Sequence, residues 1–322
     1  TEDFDRRFLS QEPVILSGAS TCPAGVSFDD QKTYCQGKIG GSVMVKIDSN
    51  GNESRWAGLK TAGVSSDLDI ADFIASMGNS SDPSFNSSNP RYAFDIRLLT
   101  FCPALNNKVH IPAHLVNIFQ SQFRYRHMWN AEQRTCPLMP FYNSYLAEAG
   151  FESDMHIDAG HTSFTASMCE GHKRWRVMTA KNMSAFKNLF SKTNRTFNAT
   201  EQSTRGVFPL MSFRSPFDTW SRNSHMLNQT GLIVFEGILS PGETIYIPGG
   251  APHAAITLTK SWMVASNDQT MQEAEDIQEV CRWHSEDAYY RRMCSRGERI
   301  STSLENYRLY QHQLPRTAMQ LL

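Results

Sequence analysis

The sequence predicts a mainly β chain, a barrel or sandwich flanked by helices, and three observations predict it. From Asp154 to Ser266 short apolar runs recur between turns marked by Gly and Pro, the pattern of many short strands. Ahead of that stretch, apolar residues fall at helical spacing. Beyond Gln269, Glu and Arg interleave to the chain end, as on solvated helices. The 322 residues suffice for one large domain and a tail. We divide them at 270, into a β domain over 1–270 with its N-terminal helices and strands, and a C-terminal helical tail over 271–322.

The elements follow in order. Asp3 to Leu9 reads as a short helix with Phe4 and Phe8 on one face, and Pro13 to Leu16 as a compact strand. Gly41 to Ile47 is a second strand. Leu68, Ile70, Phe73, Ile74 and Met77 share a helical face. The Asn/Ser/Pro-rich run from Gly78 to Pro90 is an exposed loop, and Arg91 to Leu99 returns to strand. Leu115, Ile118, Phe119 and Phe123 make a second helical face. Strands are then expected at Met155–Asp158, Ser163–Cys169, Arg174–Thr179, Leu232–Glu236, Glu243–Ile247, His253–Leu258 and Trp262–Ser266. The polar stretch Lys181 to Asn228 is an insertion between strands. Trp175 and Trp262 read as core, and His172 points outward by strand alternation.

Hydrophobic residues make up 40% of the chain, enough for a packed core, and no run is long enough to span a membrane. The net charge of −1 removes the electrostatic footprint of a nucleic-acid binder. Asn52, Asn79, Asn86, Asn182, Asn194, Asn198 and Asn228 each begin an N-x-[ST] acceptor triplet. Chance would give about three, so the excess points to glycosylation in the secretory pathway, in the ER or Golgi lumen or outside the cell. Of the seven cysteines, Cys169 reads as a core thiol in a strand, and the other six pair by proximity as Cys22–Cys35, Cys102–Cys136 and Cys281–Cys294.

Three signals carry chemistry. In His156-Ile157-Asp158 the outer two residues share one face of a strand, so both can ligate one metal. A histidine from a distant strand would complete a two-His, one-carboxylate facial triad with open positions for Fe(II) chemistry. Such a histidine, His253, follows Gly242-Glu243-Thr244-Ile245-Tyr246-Ile247-Pro248-Gly249-Gly250, a strand ending in a sharp turn. In Gly171-His172-Lys173-Arg174-Trp175, Lys173 enters a strand, where burial without a partner is costly and a carboxylate ligand would compensate it.

These motifs, with Pro13-Val14-Ile15-Leu16 and Tyr92-Ala93-Phe94-Asp95 upstream, resemble the JmjC (Jumonji C) oxygenases, in particular their lysyl-hydroxylase type. The resemblance covers most of 1–270. It implies a double-stranded β-helix, the cupin or jelly-roll barrel, with Fe(II) on His156, Asp158 and His253. It also implies 2-oxoglutarate as co-substrate, its distal carboxylate on Lys173 and with Ser153 and Asn267 near it. The activity implied is dioxygenase hydroxylation of a protein or peptide side chain, and the C-terminal helices offer a surface for self-association. Ala166 and Ala265 stand where the family carries an asparagine and a threonine for the co-substrate. They leave open a second reading, a catalytically weak or inactive cupin-fold metal-binding or scaffold protein.

Overall fold

The computed structural model describes residues 12–39, 43–49, 53–58, 68–77, 90–110, 142–156, 158, 162–180 and 232–268, except the side chains of 44–49, 53–58, 154–156, 180, 232 and 268. Twelve strands form two antiparallel sheets among these residues. They are β1 (Val14–Ser17), β2 (Val43–Ser49), β3 (Glu53–Gly58), β4 (Arg91–Arg97), β5 (Asn143–Ala147), β6 (Glu152–His156), β7 (Ser163–Glu170), β8 (Lys173–Ala180), β9 (Leu232–Leu239), β10 (Glu243–Ile247), β11 (His253–Thr257) and β12 (Ser261–Asp268). The larger sheet runs β1-β10-β7-β12-β5-β4-β2-β3 and the smaller β6-β11-β8-β9. From β5 to β8 the chain alternates between the sheets at each strand, and it alternates again from β9 to β12.

Strand alternation explains why the sheets stack. Met263 and Ala265 of β12 point to one side, with Tyr145 of β5, Phe164, Ala166 and Met168 of β7 and Ile245 of β10. Trp175 and Val177 of β8 and Ala255 of β11 join the same apolar cluster from the smaller sheet. Two inner faces thus share one core, as face-packed sheets require. Trp262 and Val264 point the other way. There they meet Phe28, the helix α1 (Ile70–Met77) and the short helices α2 (Leu98–Phe101) and α3 (Pro103–Asn106). Ile70, Phe73, Ile74 and Met77 bury one face of α1, at the spacing that predicts it.

The smaller sheet needs a sharp exit from β7. Gly171 supplies it at φ 82°, and a Cβ there would lie 2.1 Å from the Lys260 carbonyl oxygen. Only glycine fits.

Two disulfides differ from the proximity pairing. Cys22 bonds Cys169, and Cys35 bonds Cys102. The first follows from the path of the N-terminal segment along the outer face of β7. There Thr21 donates through its backbone N–H and its hydroxyl to Ser167 Oγ, both at 2.8 Å, which brings Cys22 beside Cys169. The second follows from Gln36 N–H donating to the Phe101 carbonyl at 2.8 Å, which sets Cys35 against Cys102. Cys22–Cys35 and Cys102–Cys136 are therefore excluded, and Cys169 is not a free thiol. Cys136 and the Cys281–Cys294 pair lie outside the described residues, as do all seven acceptor asparagines, the helices expected before Pro13 and after Ile111, and the tail over 271–322. Among the described residues no helix is long and apolar enough to cross a membrane.

Candidate functional site

β6 ends at His156 and β11 begins at His253, and these two residues face each other in register. The strand carrying His156 starts and ends earlier than expected, at Glu152 and His156, so Asp158 lies just past the strand end rather than within it. His253 is buried. Its Nδ1 lies 3.0 Å from the Ala251 carbonyl oxygen. A carbonyl only accepts, so Nδ1 carries the hydrogen and Nε2 faces the site. Nε2 is 3.7 Å from Asp158 Oδ1. The other carboxylate oxygen, Oδ2, accepts from Asn267 Nδ2 at 2.8 Å, and the same nitrogen reaches Thr162 Oγ1 at 3.1 Å. One nitrogen thereby ties Asp158 to Thr162. The side chain of His156 is outside the described groups. Among the described residues no three His, Cys, Asp or Glu side chains converge as a metal site.

Aromatic rings wall the pair. Phe164 stacks 6.4 Å from the His253 ring and Trp175 lies 6.1 Å from it. Tyr145 meets Phe164 edge-on at 5.7 Å, and Tyr92 lies 6.3 Å from Tyr145. The rings surround the buried His253 with apolar surface, while Asp158 stays partly exposed.

Lys173 opens β8 on the same interior. It is 2% exposed. Its Nζ lies 4.8 Å from the centroid of the Tyr92 ring, and among the described residues no carboxylate stands in ion-pair range of it. Burial alone pulls its pKa down to about 7. Register fixes its depth. Lys173 pairs with Thr257, Trp175 with Ala255, and Val177 with His253. The lysine is thus four residues from the histidine level, about 13 Å along the strand.

No protein-family model matches the chain, and no curated protein matches it.

The remaining expected residues are located as follows. Ser153 is half-buried on β6, opposite Ala255. Ala166 and Ala265 face each other across β7 and β12, and both are buried with no polar group to offer. His172 is exposed and accepts from no part of this cluster, its backbone N–H donating to Thr259 Oγ1 at 2.9 Å.

Two residues of the site had no role in the sequence reading. Asp95 falls where the β4–β5 register shifts, between Ala93 and Ile96, and adopts φ 53°, the left-handed region rarely taken by a non-glycine residue. It accepts a hydrogen bond from Tyr145 Oη at 2.7 Å. It keeps access to the surface, yet the protein packed round it raises its pKa through desolvation, with nearby Asp158 adding to the effect. Burial likewise pushes the Tyr145 and Tyr92 phenols well above their usual range. The only signal for Asp95 was the run Tyr92-Ala93-Phe94-Asp95, and Tyr145 lies on a strand the sequence did not announce.

Proposed function

We propose that this chain is an Fe(II)- and 2-oxoglutarate-dependent dioxygenase of the JmjC type, built on a jelly-roll barrel. Its substrate is a protein or peptide side chain, hydroxylated in the secretory pathway. The observation that carries the reading is Lys173, a buried cation with no carboxylate partner among the described residues, on the same interior as the His253–Asp158 pair. A buried ammonium without a counter-charge is costly, and an anionic ligand removes that cost. The strand order supports the barrel, because each strand from β5 to β8 changes sheet, as does each from β9 to β12.

The donor set suits a metal of this kind. His253 offers Nε2, with Nδ1 tied to the Ala251 carbonyl, and Asp158 offers Oδ1, with Oδ2 tied to Asn267. Such outer contacts orient ligands at metal sites, and His156 is the register partner of His253. When bound, Fe(II) would supply the activation of dioxygen. The chain's own contribution is positional. Lys173 would pair with the distal carboxylate of 2-oxoglutarate. Its four-carbon stem covers about half of the roughly 13 Å between its own level and that of His253, leaving room for a short dicarboxylate. Phe164, Trp175 and Tyr145 keep water from the reacting end.

Two disulfides fit an oxidising compartment, and the acceptor asparagines agree with the secretory pathway. A second reading, an inactive cupin-fold metal-binding scaffold, draws on the buried Ala166 and Ala265, which give the co-substrate no hydrogen bond. Decarboxylation of 2-oxoglutarate with Fe(II) and ascorbate separates the two. Turnover that disappears in His156→Ala is expected. Metal binding without any turnover would favour the scaffold.

A further inference from the structure

Of the two disulfides among the described residues, Cys22–Cys169 is the one a reagent reaches. Cys35 and Cys102 are 6% and 0% exposed, whereas Cys22 and Cys169 are both half-buried. Thiol exchange needs access to a sulfur, so Cys22–Cys169 is the labile bond. It also lies at an irregular point of β7. Trp262 of β12 pairs with Glu170, and its neighbour Met263 pairs with Met168, so Cys169 is one extra residue, a β-bulge. Regular alternation would turn Glu170 to the inner side with Met168. The bulge turns it outward instead, where Oε2 accepts from the Phe28 N–H at 2.7 Å. The segment from Ala19 to Phe28 thus holds β7 before, at and after the bulge, through Thr21 on Ser167, Cys22 on Cys169 and Phe28 on Glu170. The turn at Gly171 follows at once, with no room beside the Lys260 carbonyl, and Lys173 stands four residues beyond Cys169. A change in the bulge therefore reaches Lys173 with little slack between them.

We propose that Cys22–Cys169 is a redox latch on the anion pocket at Lys173, opened by a dithiol while Cys35–Cys102 stays closed. The inference rests on the reading above that Lys173 receives an anionic ligand. In the step, one thiolate of the dithiol attacks a sulfur of the bond. The S–S bond breaks, a mixed disulfide forms, and the departing cysteine sulfur takes a proton. The second thiol of the reductant then displaces the remaining cysteine, which takes the other proton. Two electrons and two protons pass to the chain, and the reductant leaves as its own disulfide. With the covalent tie gone, the bulge is held by hydrogen bonds alone. A shift of one residue in the bulge exchanges the faces of the residues it passes. The β7–β8 turn is displaced with it, and Lys173 loses its set position opposite Thr257. The oxidised chain binds the anion, and the reduced chain releases it.

The test uses the full chain with Mn(II) and N-oxalylglycine as the anionic probe, before and after limited treatment with dithiothreitol. Peptide mapping with an alkylating label reads which cysteines have opened. Circular dichroism follows the fold, and calorimetry reads the affinity. Cys22 and Cys169 should be labelled at dithiothreitol concentrations that leave Cys35 and Cys102 bonded. Affinity for N-oxalylglycine should then fall about tenfold and return on reoxidation, while Mn(II) affinity is unchanged. This reading needs no variant to fold. Cys22→Ser with Cys169→Ser should show the weakened affinity with or without dithiothreitol. Opening of Cys35–Cys102 first, loss of the fold together with the first bond, or unchanged affinity with Cys22–Cys169 open each overturns the latch and leaves the anion site standing. An oxidised chain that does not bind N-oxalylglycine removes both.

Discussion

Lys173 carries a cost in stability that the proposed anionic ligand would offset. Burial holds its pKa at about 7, whereas an unfolded lysine titrates near 10.4. Below pH 7 both states hold the proton, so the full penalty of burying it is present. As pH rises from about 7 towards about 10, the folded chain has lost a proton that the unfolded chain keeps, and stability climbs. Lys173→Met should therefore melt at a higher temperature at neutral pH, with a gain of a few kcal/mol, and lose the pH dependence in that window. The same variant should lose affinity for the co-substrate analogue N-oxalylglycine. In the unmodified protein that affinity should hold below pH 7 and weaken above it, as titration calorimetry across the range would show. Asn267 poses a separate question. If its hydrogen bond aims Asp158, Asn267→Leu should weaken Mn(II) binding about 10–100-fold while the melting temperature stays near that of the parent. Unchanged Mn(II) affinity would mean that Asp158 needs no such support.

At the level of elements, Gly171 decides whether β8 can follow β7. An added methyl meets the Lys260 backbone at 2.1 Å, and its φ of 82° is itself strained for any other residue. Gly171→Ala should destabilise the fold by more than about 2 kcal/mol, seen as a lower urea midpoint. A neutral result would show that the turn relaxes. This turn was legible because Gly171 closes a strand whose apolar residues alternate. β7, β8, β10, β11 and β12 were read to within a few residues for the same reason, each bounded by Gly, Pro or polar turns. β5 was not, because Asn143-Ser144-Tyr145-Leu146-Ala147 is short and buried from its second residue onward, without the alternation that marks a half-buried strand. β3, with its Glu-Ser-Arg start, carries too few apolar residues to stand out. Of the site, His253, Asp158 and Lys173 could be singled out from local motifs. Asp95 could not, since its position depends on a register shift between two strands that lie far apart in sequence.

For the molecule as a whole, the two cross-links tie the N-terminal segment to the domain. Cys22–Cys169 spans 147 residues and Cys35–Cys102 spans 67. The chain-entropy model assigns them about 5 and about 4 kcal/mol. Reduction should cost several kcal/mol and lower the melting temperature sharply, and Cys22→Ala with Cys169→Ala should reproduce most of it. A reduced chain as stable as the oxidised one would mean that the packing of Phe28 and α1 suffices without covalent help. The spacing also governs how the chain is made. At about 5–20 residues per second, Cys22 waits roughly 7–30 seconds after its own synthesis before Cys169 exists. Cys35, thirteen positions on, arrives within moments. The nascent chain therefore meets its nearest wrong partner first, and the native bond requires that an early Cys22–Cys35 link be either withheld or exchanged. In the proposed secretory setting a disulfide isomerase would then be a determinant of yield, and cells depleted of one should accumulate that short-range isomer in preference to the long-range bond.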